Sequence, residues 1–490
     1  MVEESKKACS NMKTSEPISD DSKVFLRRII GIVPCIGFII GIVIGTGIFV
    51  SPKGILRGVN GSVGLAFIIW IVCAVLSLFG GLCYTELAAM FSKSGGEFTY
   101  IKEAFGPTLA YLRVWTVLMI LSPADMAIQA LTVATYLTTP FLGQCTETPY
   151  WTVRLIALCV VSLIIFVNST SVPLTSHLQV LMTAAKTVGL LIIIITGFVN
   201  LLQGNTSNFD QPFQVKDFDF NLLPSAFYAG MFAYSGWDNI TCITEEIKKP
   251  EKTITKAMII SLVLVTVIYL LTNVAYLTAM TPSDILGSDV VAADFAEATL
   301  GQFSWMIWLF VALSAAGSLN GGAFARGRMY FVASREGLLP EVISMVHIGW
   351  KTPLPSMAFS LPLTVIMLLS GNLWELLTFS SFIDTAFIVV TLCAIPYFRW
   401  KRPDQPRPFK VPLVFCFIFI VVSLFILIMT FYTDFLQAFI GVGVTLFGLI
   451  FYYFGVQWKT KPIALKRTIK NSNDFLQKLF MSIPQEVKTY

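Results

Sequence analysis

The sequence predicts an all-α polytopic membrane protein with twelve transmembrane helices. Three observations carry this reading. Residues of the AVILMFWYC set make up 55% of the 490 residues and charged residues only 13%, about half the ~25% of ordinary globular proteins. So few charges cannot cover a soluble surface, and the mean hydropathy is +0.74. The apolar residues fall into about twelve stretches near the ~20-residue length that a bilayer requires. Finally, the basic residues sort by side. Of 34 Lys and Arg, 28 lie in the tails and alternate connections if twelve helices cross, against Lys53, Arg57 and Lys216 on the other side. By the positive-inside rule both termini then lie in the cytosol. The same numbers exclude a soluble enzyme, a disordered chain and a nucleic-acid binder, since the net charge of +5 sits on loops. Two histidines leave no basis for multi-His metal chemistry, and no cofactor is expected.

The chain divides into a cytosolic tail (1–28), a twelve-helix domain (29–456) and a second cytosolic tail (457–490). The spans lie near 29–51, 62–91, 107–137, 152–167, 177–202, 223–246, 255–279, 303–332, 355–370, 375–398, 411–431 and 435–456. Helix is the only reading for them. Barrel strands alternate apolar and polar residues, whereas runs such as Leu190–Ile195 are continuously apolar.

Span 1 contains Gly41-Ile42-Val43-Ile44-Gly45-Thr46-Gly47. Each glycine weakens a helix by ~1 kcal/mol relative to Ala. Gly41 and Gly45 fit a small-residue packing face, but Gly45 and Gly47 cannot share one, which favours a break. In lipid a break is tolerated only inside protein or beside a cavity. Span 3 carries an acid, Asp125, in Leu121-Ser122-Pro123-Ala124-Asp125. It pairs with a neighbouring helix, faces a pocket and favours cationic side chains, or is hydrated. After span 3, Cys145 is the one cysteine of nine in an external loop. It forms an intermolecular disulfide or stays a simple thiol. In span 5, Lys186 lies about nine residues in, near ~14 Å along the axis, too deep to snorkel easily.

Span 6 is the counterpart of span 1. In Phe232-Ala233-Tyr234-Ser235-Gly236-Trp237-Asp238 a glycine, an acid and three aromatics interrupt the apolar run. Interrupted segments at matching places in two halves point to a transporter site, and spans 1 and 6 are offset as in a 5+5 inverted repeat. Half-helix N-termini attract an anionic group, and unwound carbonyls accept from an ammonium. Together they describe a receptor for an α-amino acid. Past span 12, Phe475–Glu486 reads as an amphipathic helix with a Pro stop at Pro484.

Further short motifs occur in order. They include Ile44–Gly54, Ser94-Gly95-Gly96-Glu97, Phe232–Trp237, Thr244-Glu245-Glu246, Asn320-Gly321-Gly322 and Ser334-Arg335-Glu336-Gly337. With these the chain resembles the light subunits of heteromeric amino acid transporters, within the amino acid–polyamine–cation superfamily, over nearly its whole length. The resemblance implies a LeuT-like fold, with the first ten helices as the inverted repeat and spans 1 and 6 interrupted. It implies a sodium-independent exchanger at the plasma membrane, not an enzyme. The implied partner is a single-pass type II glycoprotein heavy subunit, disulfide-linked through Cys145.

By the same resemblance, the backbone of Gly45, Thr46 and Gly47 holds the substrate carboxylate. Carbonyls near Ile44 and Phe232 meet the amine, with Ala233 beside them. Phe232 is the gate and Ser235 faces the side-chain pocket, while Tyr234 and Trp237 brace the bend. Lys186 supplies the charge that sodium supplies in symporters. Ser122 stands where many relatives have a basic residue, so an anionic side chain meets no cation and glutamate is expected to be a poor substrate. Neutral amino acids, aromatic ones included, are expected substrates, with cationic ones a further option. The alternatives are a cystine and dibasic amino acid exchanger of the same family, a channel-like pore and a non-transporting receptor.

Overall fold

The computed structural model describes residues 30–91, 95–142, 150–214, 219–370, 373–458, 460 and 462–484. The N-terminal tail, Ser94, Cys145 and Lys216 lie outside the described residues. The chain is built almost wholly of helices: α1 (Ile32–Val43), α2 (Gly47–Gly58), α3 (Val63–Met90), α4 (Glu97–Phe105) and α5 (Pro107–Thr116). A π turn at Val117–Leu121 joins α5 to α6 (Ser122–Leu142). Then follow α7 (Tyr150–Thr170), α8 (Val172–Leu202), α9 (Leu223–Ala233) and a 3-10 helix (Trp237–Glu246). After α10 (Pro250–Ala279) come the short α11 (Pro282–Gly287) and α12 (Val291–Leu300), then α13 (Trp305–Arg335). The chain continues through α14 (Leu354–Ala358), α15 (Ser360–Ser370), α16 (Leu373–Lys401), α17 (Leu413–Thr433) and α18 (Phe435–Tyr452) to α19 (Ile463–Phe480).

Among the described residues, nine helices are long and apolar enough to cross a membrane, and a tenth span arises if α1 and α2, bent by 49°, count together. This is a multi-pass membrane protein. The two remaining expected spans form shorter pieces. Residues 223–246 break into α9 and the 3-10 helix, and 354–370 into α14 and α15. Expected boundaries shift where caps intervene. Span 5 was expected from 177, but α8 begins at Val172, because the Ser171 side chain accepts from Leu174 N at 3.3 Å and Pro173 suits the first turn.

Helix α13 is the central strut, packing on α6, α7 and α8, while α10 packs on α1, α3 and α8. Small residues set the close approaches. A Cβ on Gly197 of α8 would overlap Ala275 of α10. The C-terminal expectation needs correction. The amphipathic helix is α19, which ends at Phe480. Met481 takes φ 45°, and Ser482–Pro484 pairs antiparallel with Met345–His347. Pro484 therefore sits in a strand. The pairing partner lies between α13 and α14 and leaves no local signal in the tail.

One buried charge fastens the end of the bundle that carries the basic loops. Glu86 is 1% exposed. It accepts from Arg399 Nε at 3.1 Å, Arg399 Nη2 at 2.6 Å and Val411 N at 2.8 Å. Removing one partner of such a pair leaves an uncompensated charge and costs ~3–5 kcal/mol. Arg399→Leu should therefore lower the melting temperature of the purified protein in detergent by several degrees more than Arg402→Leu, whose partner Glu103 is 3.4 Å away and half-exposed.

Candidate functional site

The first break follows from its glycines. Residues 44–46 leave helical geometry between α1 and α2, so carbonyls lose their in-helix donors and side chains replace them. Lys186 Nζ donates to Gly41 O at 2.8 Å and Ile44 O at 2.5 Å. Ser314 Oγ donates to Gly45 O at 3.3 Å, and Ser318 Oγ to Ile42 O at 3.3 Å. Lys186 is fully buried, on the break where the sequence expected it. A Cβ on Gly47 would overlap Ala233, so only glycine permits this approach of the two interrupted segments.

The second break runs from Tyr234 to Gly236, between α9 and the 3-10 helix. Gly236 takes φ 96°, a conformation costly for other residues. Tyr234 and Trp237 are buried. Tyr234 meets Trp70 edge-on at 5.9 Å, and Trp237 meets Tyr84 edge-on at 4.9 Å, so both brace the bend. The Tyr269 hydroxyl lies 2.9 Å from both Val43 O and Ala233 O. One donor therefore joins the two breaks.

A cavity with about 1080 Å³ of empty space, part of it open to solvent, lies against the second break. Phe232 and Ser235 line it. Ser235 Oγ donates to Phe232 O at 2.8 Å. Asp125 also lines it, together with Glu97, Arg113, Asp238, Arg326 and Asp384. Ile44, Gly45, Thr46 and Gly47 do not reach it in this conformation; they are buried against α8, α9 and α13. Ser122 is fully buried outside the wall.

Two sequence expectations change here. Asp125 pairs with Arg326, which resolves its three alternatives: it both bridges to a neighbouring helix and faces the cavity. The wall also holds cations that the sequence reading left out. Arg326 was counted as a loop charge, yet lies in α13, and Arg113 pairs with Glu97 and, at 2.9 Å, with Asp384. An anionic side chain would thus meet arginines, although each is already engaged by a carboxylate. Arg113 and Asp384 fall within predicted spans, and intramembrane charge was the signal that would have found them. Among the described residues no group of His, Cys, Asp and Glu is placed to hold a metal ion.

A family model described as amino acid permease matches residues 30–456. The cystine/glutamate transporter of Homo sapiens is 44% identical over 466 residues, 95% of this chain and 93% of its own length. The large neutral amino acids transporter small subunit 2 of Mus musculus is 38% identical over 482 residues, 96% of this chain and 89% of its own. The Asc-type amino acid transporter 1 of Mus musculus is 36% identical over 470 residues, 94% and 88% respectively.

Glu97 begins α4, outside the spanning helices, and accepts from Tyr84 while pairing with Arg113. Burial outweighs the Arg113 charge and pushes its carboxyl up to about 7. An unfolded chain ionises it at the ordinary ~4.3. Between those values unfolding releases a proton that the folded chain keeps. The Glu97 contribution to stability therefore falls as pH rises to about 7 and is level above it. Glu97→Gln should flatten this slope, checked by melting both proteins in detergent at about pH 5 and about pH 8.

Proposed function

The chain belongs to the amino acid permease family, and from that premise we propose that it is the transporting light subunit of a heteromeric amino acid transporter. It exchanges neutral, including aromatic, L-amino acids without sodium, with cationic ones a further option, by alternating access around the two breaks. Twelve spans, ten of them in a LeuT-like 5+5 inverted repeat, complete the fold. The protein sits in the plasma membrane with both termini cytosolic. Its heavy subunit is a single-pass type II glycoprotein, joined through Cys145. The names of the similar proteins, which specify cystine/glutamate, large neutral amino acids and Asc-type transport, support amino acids as the cargo.

The observation that carries this reading is Lys186. Its ammonium sits on the carbonyls of Gly41 and Ile44 in the first break, a fixed cation where a symporter needs a bound one. The α-carboxylate of the substrate goes to the N-terminus of α2 at Gly45, Thr46 and Gly47. Its amine goes to carbonyls near Ile44 and Phe232, and Phe232 closes over it. In this conformation Ile44 O is already occupied by Lys186, so substrate entry there requires the break to open. A cystine and dibasic amino acid exchanger is the second reading, favoured by the excess of carboxylates in the cavity wall.

Counter-flow separates an exchanger from a pore. In vesicles preloaded with labelled leucine, efflux should require an external amino acid and should be unchanged when choline replaces sodium. Efflux into amino-acid-free medium, or a strict sodium requirement, would sink the reading. Cys145→Ser should convert a heavy-subunit conjugate into separate bands on non-reducing gels, while the two chains still co-purify. An unchanged conjugate would show that another residue makes the link.

A further inference from the structure

Asp238 stands in the cavity wall without a cation of its own. Among the described residues the wall's cations are Arg113 and Arg326. Arg326 is engaged by Asp125, and Arg113 by Glu97 and Asp384. Asp238 lies within Coulombic range of both arginines, yet no ion pair joins it to either. Even without Glu97, whose proton is held up to about 7, the three acids Asp125, Asp238 and Asp384 face two guanidiniums across one wall. The same wall carries an unmet donor. Arg113 is 4% exposed, and its Nε and Nη1 have no acceptor, because Nη2 alone serves both carboxylates. Buried donors without partners are rare in folded proteins. An uncompensated acid beside unmet guanidinium N–H groups is complementary to a ligand that brings both a cation and a carboxylate.

We propose that this wall is a second station on the substrate path, distinct from the first break, that holds L-amino acids with cationic side chains. Asp238 receives the side-chain ammonium or guanidinium, and the ligand carboxylate turns to Arg113, at Nε or at Nη1. A ligand of net charge +1 offsets part of the wall's excess negative charge. A zwitterion offsets none of it, and glutamate adds to it. The residue is also well placed: Asp238 is the second residue of the 3-10 helix, two residues beyond the turn that holds Ser235, and both line the cavity. A helix-capping role for Asp238 is the competing account, and it makes no distinction among substrates.

The station rests on the exchange reading only for the route, so its test begins with binding. Purified full-length protein in detergent is titrated with labelled L-lysine and labelled L-leucine, and the same pair is then followed in the vesicle exchange assay. Asp238→Asn should lower the lysine-to-leucine affinity ratio about tenfold, the scale of ~1.4 kcal/mol, and Asp238→Glu should restore it. Equal loss of both ligands in Asp238→Asn, an unchanged ratio, or no lysine binding by the unmutated protein would overturn the station. Asp238-dependent lysine binding without exchange would uphold the station and overturn the exchange reading instead.

Discussion

Hydrocarbon offers no hydrogen bonds, so a membrane helix that breaks must find every freed carbonyl a donor within the protein. Most of the site's construction follows from that requirement. Gly41 and Ile44 are answered by Lys186, Gly45 by Ser314, Ile42 by Ser318 and Val43 by Tyr269. The donors come from α8, α10 and α13, which are therefore held around the break. Tyr269 also serves Ala233, so the second break is positioned by the same side chain. The glycines that cause the break also allow its packing, since Gly47 backbone lies against Ala233.

Charge is handled in two ways along the bundle. Glu86 is fully answered, by the Nε–Nη2 edge of Arg399 and a backbone N–H. Such a buried pair fixes one arrangement of α3 and α16 and leaves nothing for a ligand. The cavity wall differs. Arg113 spreads one nitrogen over two carboxylates and leaves two others unused, while Asp238 goes unpaired. A folded chain under selection for stability alone would complete these pairs or replace them with apolar residues.

Much of the fold was legible in the sequence, because hydrocarbon imposes length and hydropathy on each span. Both breaks were legible too, from Gly45 with Gly47 and from Gly236. Lys186 could be read as a deep charge by counting residues from the start of its span. What stayed hidden was pairing between distant residues. Arg326 lies 201 positions from Asp125, and nothing in either local sequence names the other. Arg326 also sits near the end of α13, where a count of loop charges takes it for a topology signal. Ser122 lies buried outside the cavity wall, and the local sequence does not fix which way it faces.

The tethered cation also bears on why transport would be coupled to a second amino acid rather than to an ion. A diffusible cation stabilises a site by an amount that grows with its concentration. A break completed by sodium is therefore formed more often on the side where sodium is abundant, and the gradient does work. Lys186 is attached to α8 and fully buried, so its occupancy of Gly41 O and Ile44 O has no concentration term. On the exchange reading, the break then carries no sodium term on either side, and a sodium gradient does not bias the direction. On that reading the ligand that accompanies the return is a second amino acid. Independence from sodium follows from a charge that cannot leave.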